Sequence, residues 1–348
     1  MLQNLREAHI TLTTTTVRAI AVAHFQHHAP QLFSTPVKDG SLFRFSEVFI
    51  RKLLKRSLNW GIRRATRAGG KIPENSDEIL TKAFLRMAHC VKTERIPSRL
   101  IVNTDQTQNL LAQGNDITYA EIGSKQVAAC GAEEKRAITI VVSLSNDGVV
   151  LPIQAIYKGS TAQSLPSPSS PHYKDSVNDG FLFTSSMTST YWSTLATMKE
   201  FVNKILAPYY DRVVEELNLP EDQHRLWYID SWSVHRSAEF LDWMARMHPL
   251  IIVLFVPARM TGLFQPCDVG FQRVLKHALK QASHEDVVNE VLEKFKKGDA
   301  PNEVRLETKV KTLRDRTPRW LWVAYTKLNK PEIVQKVCES DTTCRKDN

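Results

Sequence analysis

Apolar and polar positions alternate along the chain in a pattern that predicts strands and helices in a definite order. Five short apolar runs indicate buried strands, at residues 99–105, 137–145, 149–158, 225–230 and 250–257. Apolar residues at helical spacing indicate helices at 41–58, 76–93, about 190–217 and 235–247, and again after Pro266. The tripeptide Asn-Asp-Gly at 146–148 is a tight-turn signal that joins the second and third strands into a hairpin. Three strands followed by strands that alternate with helices predict a mixed five-stranded α/β sheet flanked by helices.

The helix predicted at 41–58 is apolar on one face and basic on the other. Ser46 precedes Glu47 and can cap its N-terminus. The stretch 51–71 is rich in Lys and Arg and has no acidic residue, which favours contact with a phosphate backbone. The candidate DNA-contacting residues are Arg51, Lys52, Lys55, Arg56, Arg63, Arg64 and Arg67. A solvated amphipathic helix is the alternative for this segment.

Composition is that of a soluble globular protein with a basic surface. With 348 residues, 42% of them hydrophobic, the chain is long enough for one large domain and a smaller one. Five cysteines without a CxxC pair disfavour a zinc site or a disulfide framework. The formal net charge of +9 favours a polyanionic partner, with a solvated basic surface as the alternative. No stretch reaches the ~18 apolar residues of a membrane-spanning helix, so we expect no membrane partner.

Three aspartates stand at the ends of predicted elements. Asp105 closes the first strand, Asp230 closes the fourth, and Asp268 opens the helix after the fifth. Side chains at the carboxyl ends of neighbouring strands meet at one edge of an α/β sheet. Clustered carboxylates repel one another unless a cation compensates, and oxygen ligands without cysteine favour Mg²⁺ or Mn²⁺. The sequence therefore predicts a metal site at this edge, with two ions able to act on a phosphodiester.

Each aspartate also has an ordinary structural interpretation. Asp105 can start a turn, Asp230 can hydrogen-bond to Ser233, and Asp268 can cap its helix for about 1 kcal/mol. Residue patterns alone leave these alternatives open.

Four segments in the same order resemble the DDE superfamily transposases of the pogo/Tigger type, relatives of mariner elements and of the jerky and centromere-protein derivatives. They read VNTDQTQ, GSKQVAACGAEEKRAITIVVSLSNDGVVLPIQAIYKG, WYIDSWSVHRS and LFQPCDVGFQRVLK. The sequences of DQTQ and DSWSVHRS within these segments are most similar to transposase copies common in basidiomycete fungi. The resemblance implies an RNase H-like fold in which Asp105, Asp230 and Asp268 are catalytic and bind two Mg²⁺ (or Mn²⁺) ions.

The resemblance also assigns expected roles to neighbouring residues. Asn103 is expected to support the loop of the first acid, and Gln265 to position Asp268. His235 matches a recurrent family histidine, which orients a phosphate or water or hydrogen-bonds within the start of its helix. Gln106 stands where many relatives carry Glu, so an accessory carboxylate is absent. Lys158, in the segment IYKG, is either a DNA contact or a solvated lysine.

The resemblance sets an expected domain order and function. Residues 1–95 are expected to be a small helical N-terminal remnant of a helix-turn-helix region with its linker, truncated relative to the family. Residues 96–285 form the catalytic domain, and residues 286–348 a C-terminal helical extension with a flexible tail. The expected function is metal-dependent cleavage and joining of DNA in the nucleus, with homo-oligomers on DNA ends. The alternative is a domesticated or decayed, non-catalytic DNA-binding protein that retains the fold.

Overall fold

The computed structural model describes residues 2–3, 14–36, 39–61, 73, 75–111, 136–298 and 306–343. Within it the chain divides into two compact units, Met1–Glu74 and Asn75–Asn348. The boundary lies before the predicted helix at 76–93, which therefore belongs to the second unit. Within the described residues, no helix has the length and apolar character needed to cross a bilayer.

In the described part of the first unit, helices surround a small aromatic core. They are α1 (Thr14–His28), α2 (Gln31–Ser34) and α3 (Glu47–Leu58). The N-terminus of α3 is capped as predicted, since Ser46 Oγ accepts the Phe49 N–H at 3.1 Å. Val17, Phe45 and Ile50 form the buried centre of this unit. The basic residues of α3 lie outside this centre and are exposed, as a helix with one apolar face requires.

The second unit is built on a six-stranded sheet in the order β4-β3-β2-β1-β5-β6. The strands are β1 (Ile101–Leu110), β2 (Ala137–Ser145), β3 (Gln154–Tyr157), β4 (Leu182–Ser185), β5 (Arg225–Ile229) and β6 (Ile251–Phe255). The α-helices are α4 (Ser76–Thr93), α5 (Tyr173–Asn178), α6 (Leu195–Phe201), α7 (Ala207–Glu216), α8 (Ala238–Met247), α9 (Thr261–Phe264), α10 (Gln272–Lys296), α11 (Val310–Leu328) and α12 (Pro331–Thr343). Each of the five predicted strands is present.

Strand directions confirm the RNase H-like α/β fold. Strands β1, β2 and β3 form an antiparallel meander, while β5 pairs parallel with β1 and β6 parallel with β5. The predicted hairpin at 146–148 thus joins β2 to the strand beside it. Strand β4, which was not predicted, adds a sixth strand parallel to β3 at the sheet edge.

Several element ends differ from the predicted ones. Strand β1 does not stop at Asp105, because Gln106–Leu110 continues to pair with β2. Strand β3 spans only four residues. The helix predicted from 190 begins at Leu195, and a π-helical turn over Val202–Leu206 separates α6 from α7. Pro208, which follows, lacks the N–H that a regular α-helical bond would need. The loop 159–176, predicted to be exposed, contains buried residues and the start of α5.

The sheet is covered on both faces by apolar side chains. On one face, Phe201 and Tyr210 of the α6–α7 segment pack against Trp227 of β5. On the other face, Leu275 of α10 and Trp320 of α11 belong to the cluster that covers β2. Every residue of β2 is buried, as expected for a strand covered on both sides. This packing holds β1, which contains Asp105, and β5, which ends just before Asp230, in a fixed register.

Candidate active site

Parallel pairing of β1 with β5 places two of the three aspartates side by side. Thr104 pairs with Ile229 in this register, so the following residues, Asp105 and Asp230, lie next to each other. Strand β5 ends at Ile229, whereas β1 runs on for several residues along β2. Asp105 is 8% exposed and the Asp230 side chain 31% exposed. Thus Asp230 stands at the end of its strand, and Asp105 is buried inside a longer one.

Asp268 lies on a π-helical turn, Cys267–Phe271, that leads into α10. The widened turn is closed by the Gln272 N–H, which donates to the Cys267 carbonyl. The N-cap position is occupied by Pro266, without a side-chain cap, so Asp268 is not the cap of this helix. Its side chain is exposed and free to face the sheet edge.

Two amide side chains fasten this turn to β1. Gln265 Nε2 donates to the Thr104 carbonyl at 3.0 Å, and the Cys267 N–H donates to Asn103 Oδ1 at 3.1 Å. Asn103 Nδ2 also donates to the Tyr228 carbonyl at 3.1 Å, two residues before Asp230. Because Asn103 is fully buried, it links all three segments that carry the aspartates. Asn103 and Gln265 are therefore positioning residues in this structure.

Electrostatics show that the three carboxyl groups interact. Burial raises the pKa of Asp105 well above its usual range, and the nearby carboxyls of Asp268 and, more weakly, Asp230 raise it further. Asp268 is close enough to hydrogen-bond with Asp105. The Gln106 N–H donates to Asp105 Oδ1 at 2.7 Å and partly offsets the shift of its pKa. Gln272 Nε2, at the first position of α10, donates to Asp105 Oδ2.

Asp230 is contacted by His235, which is followed by a series of hydrogen-bonded polar side chains. His235 Nδ1 lies 2.8 Å from Asp230 Oδ1, and His235 Nε2 lies 3.4 Å from Gln106 Nε2. An imidazole that accepts from an amide at Nε2 carries its proton on Nδ1 and donates it to the carboxylate. Ser193 Oγ donates to Gln106 Oε1 at 2.5 Å and so fixes the amide. His235 is 1% exposed, so its imidazole is shielded from water, whereas the Asp230 side chain that it contacts is partly exposed.

Lys158, in the same unit as the three aspartates, lies away from the carboxyl groups. Lys158 is exposed just beyond β3, two strands from β1 and about five residues further along. That register places it roughly 20 Å from Asp105, at about 4.8 Å per strand and 3.3 Å per residue. Arg51, Lys52, Lys55 and Arg56 are exposed on α3 of the first unit. The predicted contacts Arg63, Arg64 and Arg67 lie outside the described residues.

A cavity of about 450 Å³ opens beside Asp230. It is lined by apolar side chains of α4, of the end of β6 and of the segment that follows, among them Met87, Phe255 and Val256. Ser231, the residue after Asp230, lines it, and the exposed Arg86 and Arg236 contribute positive charge. The cavity can therefore accept a group that is partly apolar and partly anionic.

The chemistry of the donors fits a hard divalent cation. Carboxylate oxygens are the ligands that Mg²⁺ and Mn²⁺ prefer. The raised pKa of Asp105 reflects its burial first and then the charge of Asp268, and a cation would compensate both effects. No group of three or more His, Cys, Asp and Glu side chains in the described part of the chain forms a ready-made metal cage. Gln272 and His235 hold oxygens of Asp105 and Asp230 instead. A cation would therefore compete with, or rearrange, these hydrogen bonds.

The sequence did not predict the roles that three site residues have in the structure. Gln272 contacts Asp105, Ser193 fixes Gln106, and Gln106 supports His235. Only Gln272 carried a signal, since it lies one helical turn after Asp268 and so shares its face.

Solved structures similar to this chain include several Mos1 transposase complexes. A pre-cleavage Mos1 transpososome is 15% identical, with 95% of this chain and 79% of that chain covered and a TM-score of 0.44. A Mos1 paired-end complex with the left transposon end is 14% identical, covering 86% and 71%, with a TM-score of 0.41. A Mos1 mariner paired-end complex with Mn is 12% identical, covering 95% and 94%, with a TM-score of 0.39. Similarity at this level carries no information about the site.

Among curated proteins, no sequence matches the chain. A family model described as DDE superfamily endonuclease matches residues 134–335, more than half of the 348 residues. The match includes Asp230 and Asp268 and begins after Asp105. The chain belongs to the DDE superfamily endonuclease family.

Proposed function

We propose that the protein is a transposase-type endonuclease that cleaves and joins DNA phosphodiesters with two divalent metal ions. The observation that supports this proposal is the pairing of β1 with β5, which sets Asp105 beside Asp230, together with the nearby carboxyl of Asp268. A fold does not define a reaction, so the proposal depends on these side chains and on family membership together.

Each residue has a distinct part in the proposed site. Asp105, Asp230 and Asp268 would hold Mg²⁺ or Mn²⁺, which when bound supplies charge neutralisation at the phosphate and activation of a water or 3′-hydroxyl. His235 Nδ1 contacts the Asp230 carboxylate and would orient it towards the metal. Gln272 orients Asp105 from the first turn of α10.

DNA is the proposed partner because the net charge is +9 and basic residues flank the site. Arg86 and Arg236 stand at the cavity beside Asp230, where phosphates of the cleaved strand would pass. The exposed face of α3 offers Arg51, Lys52 and Lys55, although Arg51 also pairs with Glu47 at 3.3 Å. We propose that these contacts are independent of base sequence, as backbone contacts generally are.

The finer family assignment is also a proposal. The four sequence segments support a pogo/Tigger-type transposase of fungal origin, acting as a homo-oligomer on DNA ends in the nucleus. Terminal inverted repeats flanking the gene are expected, and their absence from intact genomic copies would argue against this type. A fluorescent fusion that stays outside the nucleus would contradict the proposed location.

The test is nicking of supercoiled plasmid, which needs no known recognition sequence. The wild-type protein is expected to nick in Mg²⁺ or Mn²⁺ and not in EDTA. Asp230→Asn is expected to remove nicking while leaving plasmid binding intact. Asp222→Asn, an exposed aspartate elsewhere in the same unit, is the matched control and should nick normally.

Two results would contradict the proposal. Equal nicking by wild type and Asp230→Asn would show that the activity does not come from this site. Metal-independent DNA binding without any nicking would favour the alternative, a non-catalytic DNA-binding protein that retains the fold.

A further inference from the structure

One aromatic side chain beside the candidate site is exposed although its neighbours are fixed. Trp192 is 53% exposed, while Ser193, the next residue, is 4% exposed. Large aromatic side chains bury 150–250 Å² when they pack, so an indole left open to solvent forgoes a sizeable stabilisation. We propose that Trp192 is a stacking surface for an unpaired base of the DNA strand at the candidate site. This inference depends on the proposed function, because it names a contact of the same substrate.

The turn that carries Trp192 is held rigidly on both sides. Before it, Gln108 Nε2 donates to Tyr191 Oη and Thr139 Oγ1 donates to the Tyr191 carbonyl, both at 2.7 Å. After it, Ser193 Oγ donates to Gln106 Oε1 at 2.5 Å. A surface held in place before binding loses little conformational entropy when a ligand arrives.

The same turn lies next to the carboxyl groups. Its contacts with Gln106 and Gln108 place it along the part of β1 that continues beyond the end of β5. Gln106 follows Asp105 directly and contacts His235, which holds Asp230. The indole is therefore close to the position where the proposed reaction takes place.

Charge near the turn fits a nucleotide rather than an apolar ligand. The Gly159 N–H donates to the Thr188 carbonyl at 3.1 Å, and the Met187 N–H donates to the Gly159 carbonyl at 2.9 Å. The loop that leads to Trp192 is thus fastened to the residue after Lys158, which is exposed. An aromatic ring and a lysine on two loops that are hydrogen-bonded to each other can bind a base and a phosphate of the same strand.

The experiment measures binding without cleavage, by fluorescence anisotropy of labelled duplexes in EDTA. One duplex ends in a three-nucleotide 3′ tail, and its partner has abasic sites in that tail. Alanine substitution of a stacking aromatic costs roughly fivefold to a hundredfold in affinity. Wild type and Trp192→Phe are expected to prefer the tail with bases by a factor in that range. Trp192→Ala is expected to bind both duplexes equally.

Phe295→Ala is the matched control, because Phe295 is an exposed aromatic (46%) near the end of α10. It should keep the preference of the wild type, and all variants should keep its melting temperature. Equal preference in wild type and Trp192→Ala would overturn the stacking assignment and leave the proposed cleavage untouched. Absence of DNA binding by the wild type would overturn the proposed function and this inference together. Preference for bases without metal-dependent nicking would support stacking and contradict catalysis.

Discussion

Asp105 on strand β1 and Asp230 after strand β5 lie next to each other, but different kinds of contact hold them. On one side, Asp105 and Asp268 approach each other, and the groups that contact Asp105 are neutral donors from Gln106 and Gln272. On the other side, Asp230 is oriented by His235, which Gln106 and Ser193 support in turn. The repulsion that acts on Asp105 comes mainly from Asp268 and less from Asp230. We infer that His235 positions Asp230 before any cation binds, whereas a bound cation would favour the ionised form of Asp105, whose pKa is raised by burial and by Asp268.

The largest expected effect comes from removing one member of the repelling pair. Asp268→Asn should lower metal-dependent nicking about 10³-fold, because a metal ion contributes several kcal/mol to stabilising charge in the transition state. Plasmid nicking in Mg²⁺ measures this, with Asp222→Asn as the control. Normal nicking by Asp268→Asn would show that Asp268 is not part of the active site and that its contrast with Asp230 is wrong.

A smaller loss of nicking activity is expected from changing the side chains that position Asp230. Gln106→Ala should lower nicking about 10- to 100-fold, since groups that orient a metal ligand typically contribute that much. Its contact with His235 is removed, but the three aspartates stay in place. Gln163→Ala, an exposed glutamine far along the chain, should have no effect. If raising the Mg²⁺ concentration fully restores Gln106→Ala, the defect lies in metal affinity rather than in the orientation of Asp230 after binding.

Stability of the metal-free protein tests the repulsion directly. The pKa of Asp105 is raised in the folded state, so ionised Asp105 disfavours folding. Protonated Asp105 therefore contributes to the free energy of unfolding in full below the ordinary aspartate pKa of about 3.9. This contribution is lost as pH rises through the raised pKa. Asp105→Asn should then melt about 2–4 °C higher than wild type above that pH, the shift that about 1 kcal/mol gives.

Two further features of the melting curves would sharpen this result. The gap between Asp105→Asn and wild type should shrink as pH falls, and Mg²⁺ should raise the melting temperature of the wild type only. A variant that melts lower than wild type at every pH would show that Asp105 stabilises the metal-free fold.

The smallest effect is expected at the cavity beside Asp230. Arg236→Gln should weaken duplex binding a few-fold for all sequences and reduce the slope of log affinity against log salt by about 0.9 for one phosphate contact. Arg246→Gln, an exposed arginine in the last turn of α8, is the control. An unchanged slope for Arg236→Gln would place the DNA elsewhere.

The main features of the fold could be predicted because they depend on local patterns. The run at 137–145 coincides with β2, and 76–93 coincides with α4. Strand β4 escaped prediction because it has only four residues, all half-buried, and so shows neither a long apolar run nor clear alternation. The end of β1 was misplaced because Gln106 and Gln108 look like loop residues until their pairing with β2 is known.

The candidate site was predictable only as far as strand order determines it. Asp105 and Asp230 follow from the rule that side chains gather at the carboxyl ends of parallel strands. The contacts of Gln272 with Asp105 and of Ser193 with Gln106 join residues 167 and 87 positions apart. No periodicity or motif distinguishes such polar side chains from solvated ones, so these contacts require the packed structure.

The π-helical turn at Cys267–Phe271 adds a constraint on how the chain can vary. A helix rotates about 100° per residue, so one residue more or less in this turn would swing Asp268 to another side relative to α10. The apolar stripe of α10, including Leu275 and Leu279, would then lose its alignment with the acid or with the core. Insertions and deletions between Pro266 and Gln272 should therefore be far less tolerated than substitutions there, with Asp268 itself as the exception.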